Sequence, residues 1–197
     1  MKHSFTKYTL LILFLSSTLF QACNRIKPIK AAVVSAREEA SAIGVAVMKR
    51  GGSAFDAMIA TDLALTVCYP NAGNISGGGF LVYRTKDGEV GSLDYREKAP
   101  LAASANMYLD KEGNVLPNKS TLGGFAVGVP GTVAGLVAIH KKFGKLPWEA
   151  LIQPAIELAK NGYIVTSKQA SSFENKKEDF VAINGAETFY EFGRAHV

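Results

Sequence analysis

Two rhythms of apolar and polar positions run along this chain, one helical and one extended. Between Ala36 and Arg50, Ala40, Ile43 and Val47 recur at helical spacing. Lys49 and Arg50 fall in the last turn, where cations suit the helix dipole, and Gly51 with Gly52 ends the helix. Ser53 and Asp56 form an S-x-x-D start signal for a second helix, AFDAMIATDLALTV, which is apolar on nearly every side except at Asp56, Thr61 and Asp62. A helix of that kind belongs in a core. After Tyr69 and Pro70 comes a glycine-dense loop, NAGNISGGGF, and then FLVYRT and GSLDYR on either side of Lys86, Asp87 and Gly88. That pattern predicts a β-hairpin turning at Asp-Gly. Residues 97–127 read as loop, with a short helical piece around Met107 and a turn at Glu112, Gly113 and Asn114. A third helix is predicted after Pro130, ending on Lys141, Lys142 and Gly144. A fourth has Pro147 in its first turn, Leu151, Ala155 and Leu158 on one face, a bend at Pro154, and Asn161 with Gly162 as its stop. From Ser167 onward a polar helix with little to bury is expected. Helices outnumber strands and the strands form one antiparallel pair, so the pattern predicts an α+β class.

The first 22 residues follow a different logic. Lys2 and Lys7 precede an apolar run from Leu10 to Leu15, and small and polar residues lead to Cys23, so residues 1–22 read as a secretion signal. The run is short of the roughly 20 residues that span a bilayer as a permanent helix. LFQAC resembles a bacterial lipoprotein box with Phe20 in place of the usual Leu, which predicts cleavage before Cys23 and lipid attachment to its thiol; a free thiol is the alternative. Residues 23–30 would then link a lipid anchor to a folded part beginning near Ala31. The protein would be exported, to the periplasm or the cell-envelope membrane surface. Cys68 would be left without a partner, as a small buried apolar residue. Of the formal charge of +5, Lys2 and Lys7 supply two, and the remaining Lys and Arg are scattered among Asp and Glu. That distribution argues against nucleic-acid binding. The two cysteines and three histidines show no metal-ligand spacing, and no cofactor is expected.

Two segments can carry chemistry. The glycines of Asn71–Gly79 could expose backbone N–H groups to a ligand. However, they run from a helix into a strand with no following Lys, which excludes the common phosphate motifs and leaves a tight turn against another backbone as the alternative. Arg96, in LDYREKAP, stands at the end of an apolar strand, where its paired donors could hold a carboxylate in two parallel hydrogen bonds. Pattern alone favours a solvated ion pair between Arg96 and Glu97. Ser76 lies in I-S-G-G-G rather than a nucleophile elbow and reads as a turn residue, and His140 suggests no triad. Asp62 and Glu97 could pair for glycoside chemistry, but their spacing does not single them out.

Taken in order, GGSAFDAMIATDLALTV, PNAGNISGGGF, LDYREKAP, GVPGTVAGL and QPAIELAKNGYIV resemble the opening of the large subunit of the γ-glutamyltranspeptidase (glutathione hydrolase) family, over about Ala31 to Ser167. The resemblance implies that residues 31–197 are a truncated N-terminal portion of an N-terminal-nucleophile hydrolase, an incomplete part of an αββα sandwich. It implies hydrolysis of γ-glutamyl amides such as glutathione, or transfer of the glutamyl group to amino acids. The catalytic Thr would be the first residue of a small subunit cut from the same precursor, so no catalytic residue is assigned in this chain. It also implies that Arg96 binds the substrate α-carboxylate and that Glu97 orients Arg96. Two other readings stay open: a non-catalytic envelope lipoprotein that keeps the scaffold as a binding module, and an acylase acting on other amides.

Overall fold

A computed structural model describes residues 30–186. The signal 1–22, the lipidation site Cys23 and nearly all of the linker 23–30 lie outside the described residues, as do positions 187–197. From Val33 onward the chain builds α1 (Glu38–Lys49), α2 (Ala54–Cys68), β1 (Phe80–Arg84), β2 (Val90–Asp94), α3 (Thr132–Phe143), α4 (Trp148–Asn161) and α5 (Ser167–Asn184). This is the α+β arrangement expected.

The centre is α2. Its start is fixed reciprocally: Ser53 Oγ accepts the Asp56 N–H at 3.1 Å, and Asp56 Oδ2 accepts the Ser53 N–H at 2.7 Å. Asp56 is fully buried and also accepts the Lys145 N–H with both carboxylate oxygens, each at 3.1 Å, so the cap of α2 also holds the link between α3 and α4. Ala57, Ile59, Ala60, Leu63 and Ala64 are buried around α2. Val47 of α1, Leu136 and Ile139 of α3, and Leu151 and Ala155 of α4 complete the main core. Gly44 of α1 meets Thr61 of α2 so closely that any Cβ there would strike the hydroxyl. Thr61 turns that hydroxyl onto the Ala57 carbonyl at 2.7 Å, four residues back along the helix. Leu158 packs with Ala40, Ala64 and Cys68 in a second cluster. Cys68 is fully buried, the small apolar residue its sequence context predicted. Pro147 stands one place earlier than expected, as the N-cap of α4, and the helix runs on through Pro154.

The hairpin is antiparallel, with Phe80 opposite Asp94 and Arg84 opposite Val90. Its turn is the predicted one: the Gly88 N–H donates to the Thr85 carbonyl at 3.1 Å, and Gly88 takes φ +91°. Leu81 and Leu93 point at the core, and Tyr83 joins a cluster with Phe55 and Phe143, whose rings stack at 4.1 Å. Lys142 Nζ donates to the Tyr83 hydroxyl at 3.0 Å, tying the hairpin to the end of α3.

Residues 97–127, expected to be largely loop, differ from expectation near Met107. Around Met107 there is no helical piece, only successive turns closed by three-residue bonds such as Met107 N–H to Ser104 C=O at 3.2 Å. The Glu112–Asn114 turn is present, with the Asp110 carboxylate accepting the Glu112 and Asn114 N–H groups at 3.0 and 2.7 Å and Gly113 at φ +87°. A single 3₁₀ turn, Gly124–Ala126, follows.

The polar helix α5 forms as predicted and buries only Gln169. Gln169 Nε2 donates to the Cys68 carbonyl at 2.8 Å, and its Oε1 accepts from Arg37 Nη1 at 2.7 Å.

Candidate functional site

Three of the motifs that are separate in sequence meet at the backbone of Tyr95, Arg96 and Glu97. The first is the glycine loop before β1. Tyr95 N–H donates to Gly79 C=O at 3.0 Å, and a Cβ placed on Gly78 would come within 2.7 Å of the Arg96 Cα, the Glu97 nitrogen and the Tyr95 carbonyl oxygen. The second is the segment entering α3. Val129 N–H donates to Lys98 C=O at 2.8 Å and the reverse bond spans 3.2 Å; any Cβ on Gly131 would overlap the Tyr95 carbonyl, and one on Gly135 the Tyr95 ring. The third is the strand end itself. Glycine is required at 78 and 131 because backbone meets backbone there, so the tight-turn reading of the loop is the correct one.

The two backbone segments are also joined to each other. The Gly131 and Thr132 N–H groups both donate to the Gly77 carbonyl, at 2.7 and 3.0 Å. Thr132, almost completely buried, donates its hydroxyl to Asn74 Oδ1 at 2.6 Å, and the same oxygen accepts the Gly77 N–H at 2.8 Å. Asn74 Nδ2 donates to the Ala72 carbonyl at 3.1 Å. Sequence reasoning singled out neither Asn74 nor Thr132. They stand 58 positions apart, and an isolated polar contact at that separation leaves no periodic trace.

Arg96 emerges from this clamp with its side chain 61% exposed. Its N–H donates to Asp94 Oδ1 at 2.9 Å, its Nε donates to Glu97 Oε2 at 3.0 Å, and its guanidinium carbon lies 5.6 Å from the Phe80 ring centroid. Among the described residues its two terminal nitrogens have no hydrogen-bond partner. The expected Arg96–Glu97 pair is therefore present, and it uses only one edge of the guanidinium. The Glu97 carboxyl is held below its ordinary range, first by its own backbone N–H and then by the Arg96 side chain. So exposed a pair adds little stability, and its consequence is direction. A hollow of about 250 Å³ opens beside Glu97, lined in part by Met107, Tyr108, Phe125 and Val127.

The other candidates lie elsewhere. Ser76 is an exposed bend residue. His140 Nε2 is 2.8 Å from the Leu146 carbonyl, and the ring packs 5.3 Å from Trp148. The Asp62 side chain makes no hydrogen bond among the described residues and is not paired with Glu97. Burial pushes its pKa up, and its charge, after burial, helps to raise that of the Tyr95 phenol.

The family model for gamma-glutamyltranspeptidase matches residues 40–197. A glutathione hydrolase proenzyme from Pseudomonas sp. (strain A14) is 50% identical over 148 residues, covering 75% of this chain and 26% of the relative. The crystal structure of Helicobacter pylori gamma-glutamyltranspeptidase matches with a TM-score of 0.77 at 48% identity, over 81% of this chain and 46% of that one. The enzyme from Pseudomonas nitroreducens, solved in complex with L-DON, matches with a TM-score of 0.75 at 40% identity, over 86% of this chain and 50% of that one. The chain thus spans about a quarter of the length of the curated relative. With motif order, backbone arrangement and family match in agreement, this chain belongs to the γ-glutamyltranspeptidase family and carries part of its N-terminal-nucleophile hydrolase fold.

Proposed function

We propose that this chain contributes the substrate-carboxylate site of a γ-glutamyltransferase/glutathione hydrolase, an enzyme that cleaves γ-glutamyl amides and passes the glutamyl group to water or to an amino acid. The observation that carries this reading is the state of Arg96. Glu97 occupies its Nε, while the fork of terminal nitrogens is unpartnered among the described residues and exposed at the meeting point of three family motifs. A guanidinium fixed along one edge and open along the other is prepared for the two parallel bonds of an α-carboxylate. Glu97, kept ionised, orients it. The nucleophile is assigned to the small subunit of the same precursor, and glutathione and related γ-glutamyl compounds are the substrates proposed.

The test is turnover of a chromogenic γ-glutamyl anilide by the full-length gene product. Arg96→Ala is expected to raise KM by about 10- to 100-fold, the scale of losing charged hydrogen bonds. Unchanged kinetics would refute the assignment.

We further propose export and anchoring through a lipid on Cys23, on the strength of Lys2, Lys7, the Leu10–Leu15 run and LFQAC. Mass spectrometry of the mature N-terminal peptide should find an acylated Cys23. A mature chain retaining residues 1–22, or an unmodified Cys23, would overturn that proposal.

A further inference from the structure

We infer that Asn74 and Thr132 are positioning residues for Arg96, acting through Gly77 and Gly78 without touching the guanidinium; this rests on the proposed role of Arg96. Both polar groups of the Gly77 backbone are taken by this pair of segments. The N–H is bound to Asn74 Oδ1, and the carbonyl accepts from Gly131 and Thr132. The Thr132 hydroxyl then closes the ring onto Asn74 Oδ1 at 2.6 Å. Both peptides flanking Gly77 are therefore held, and Gly78, the next residue, runs so close that a Cβ on it would come within 2.7 Å of the Arg96 Cα and the Glu97 nitrogen.

That contact matters because of how the strand end is otherwise held. Tyr95 is paired with Gly79, and Lys98 with Val129, but Arg96 donates its N–H to Asp94 beside it in sequence. Across the gap, the backbone from Tyr95 to Glu97 is walled by the close approach of Gly78 on one side, whose backbone also bonds the Glu97 carboxyl, and of Gly131 against the Tyr95 and Arg96 carbonyls on the other. Asn74 and Thr132 fix both of those walls at once. The side-chain direction of Arg96 depends in turn on Glu97, which shares the same backbone. Loosening the ring lets the walls part, and the guanidinium fork loses its aim while remaining present. Sub-ångström misplacement of a positioned group weakens substrate binding without removing any contact.

The experiment uses the full-length gene product and a γ-glutamyl donor with a free α-carboxylate. Thr132→Val removes the hydroxyl at nearly constant volume and is expected to raise KM roughly three- to tenfold with kcat unchanged, the scale of one hydrogen bond. Thr132→Ser, which keeps the hydroxyl, restores KM. In an Arg96→Ala background, Thr132→Val adds nothing further, because the two act through the same group. Asn74→Ala on the loop provides the same readout if Thr132→Val does not fold. An unchanged KM, a fall in kcat, or a full additional KM rise on top of Arg96→Ala overturns the inference. A readout independent of turnover separates its failure from that of the carboxylate site: the Nε–H signal of Arg96 in nitrogen-15 spectra should shift or broaden in Thr132→Val and stay in place in Thr132→Ser. If Arg96→Ala leaves KM untouched, the carboxylate reading falls and the spectrum alone decides the positioning role. An unmoved signal in Thr132→Val then overturns it.

Discussion

The helices around α2 and the shelf formed by residues 71–131 are held together by different forces. In the helical part, Val47, Ile59, Ala60, Leu136 and Leu151 are essentially excluded from water, and the gain comes from apolar burial. On the shelf the apolar side chains are largely exposed: Phe80, Val82, Val90, Phe125, Val127 and Val129 are each more than half accessible. There the order comes from backbone pairs, from glycines that allow main chains to touch, and from the Asn74–Thr132 ring. Stability and the proposed carboxylate site thus lie in different parts of the molecule, and substitutions in the two parts should fail in different ways.

The largest effect should come from the core. Ile59→Ala is expected to cost about 2–5 kcal/mol, read as a fall in melting temperature; a cost below ~1 kcal/mol would mean that burial around α2 is not the main support. A middle-sized effect is expected on the shelf. Gly78→Ala forces a methyl into the backbone of Arg96 and Glu97 and should cost about 1–3 kcal/mol by crowding, with a rise in KM for γ-glutamyl donors that Ile59→Ala does not produce in molecules that remain folded. If Gly78→Ala melts the chain but spares KM in the folded fraction, the division of labour fails.

The smallest effect concerns the boundary between the two parts. Asp62 projects from α2 near Tyr95 and has a raised pKa because of burial. The folded state binds its proton more tightly than the unfolded chain does, so stability falls as pH rises through the range between the ordinary value of 3.8 and the raised one, and the penalty is complete above it. Asp62→Asn should therefore raise the melting temperature at neutral pH and leave it unchanged in acid, with no change in KM. A stabilisation equal at all pH values would show that the charge is not the cause.

Local devices were readable from the sequence, and contacts between distant segments were not. The Ser53–Asp56 cap, the Asp87–Gly88 turn and the Glu112–Asn114 turn each depend on residues within five positions of one another, and each formed as the pattern indicated; the carboxylate of Asp110 that closes the last was not singled out. The second duty of Asp56, accepting the Lys145 N–H across 89 positions, has no local signature. The helical reading near Met107 failed because the backbone bonds there are isolated: Met107 N–H to Ser104 C=O and Leu109 N–H to Asn106 C=O each close over three residues, and no four-residue ladder follows. Arg96 is a similar case. Its ion pair with Glu97 was apparent from adjacency, whereas a binding role came from family resemblance. The structure adds what neither supplied, the open half of the guanidinium and the glycine walls around its base.

The Gly77 carbonyl has a consequence for what this surface can attract. By accepting from both Gly131 and Thr132, that single oxygen occupies two of the main-chain donors at the start of α3 that an anion such as phosphate would seek. A loop rich enough in glycine to look like an anion cradle thus turns a carbonyl, not an N–H, toward that helix start. Rotating the one peptide between residues 77 and 78 would exchange that acceptor for a donor, so the polarity this loop turns toward α3 rests on the orientation of a single amide.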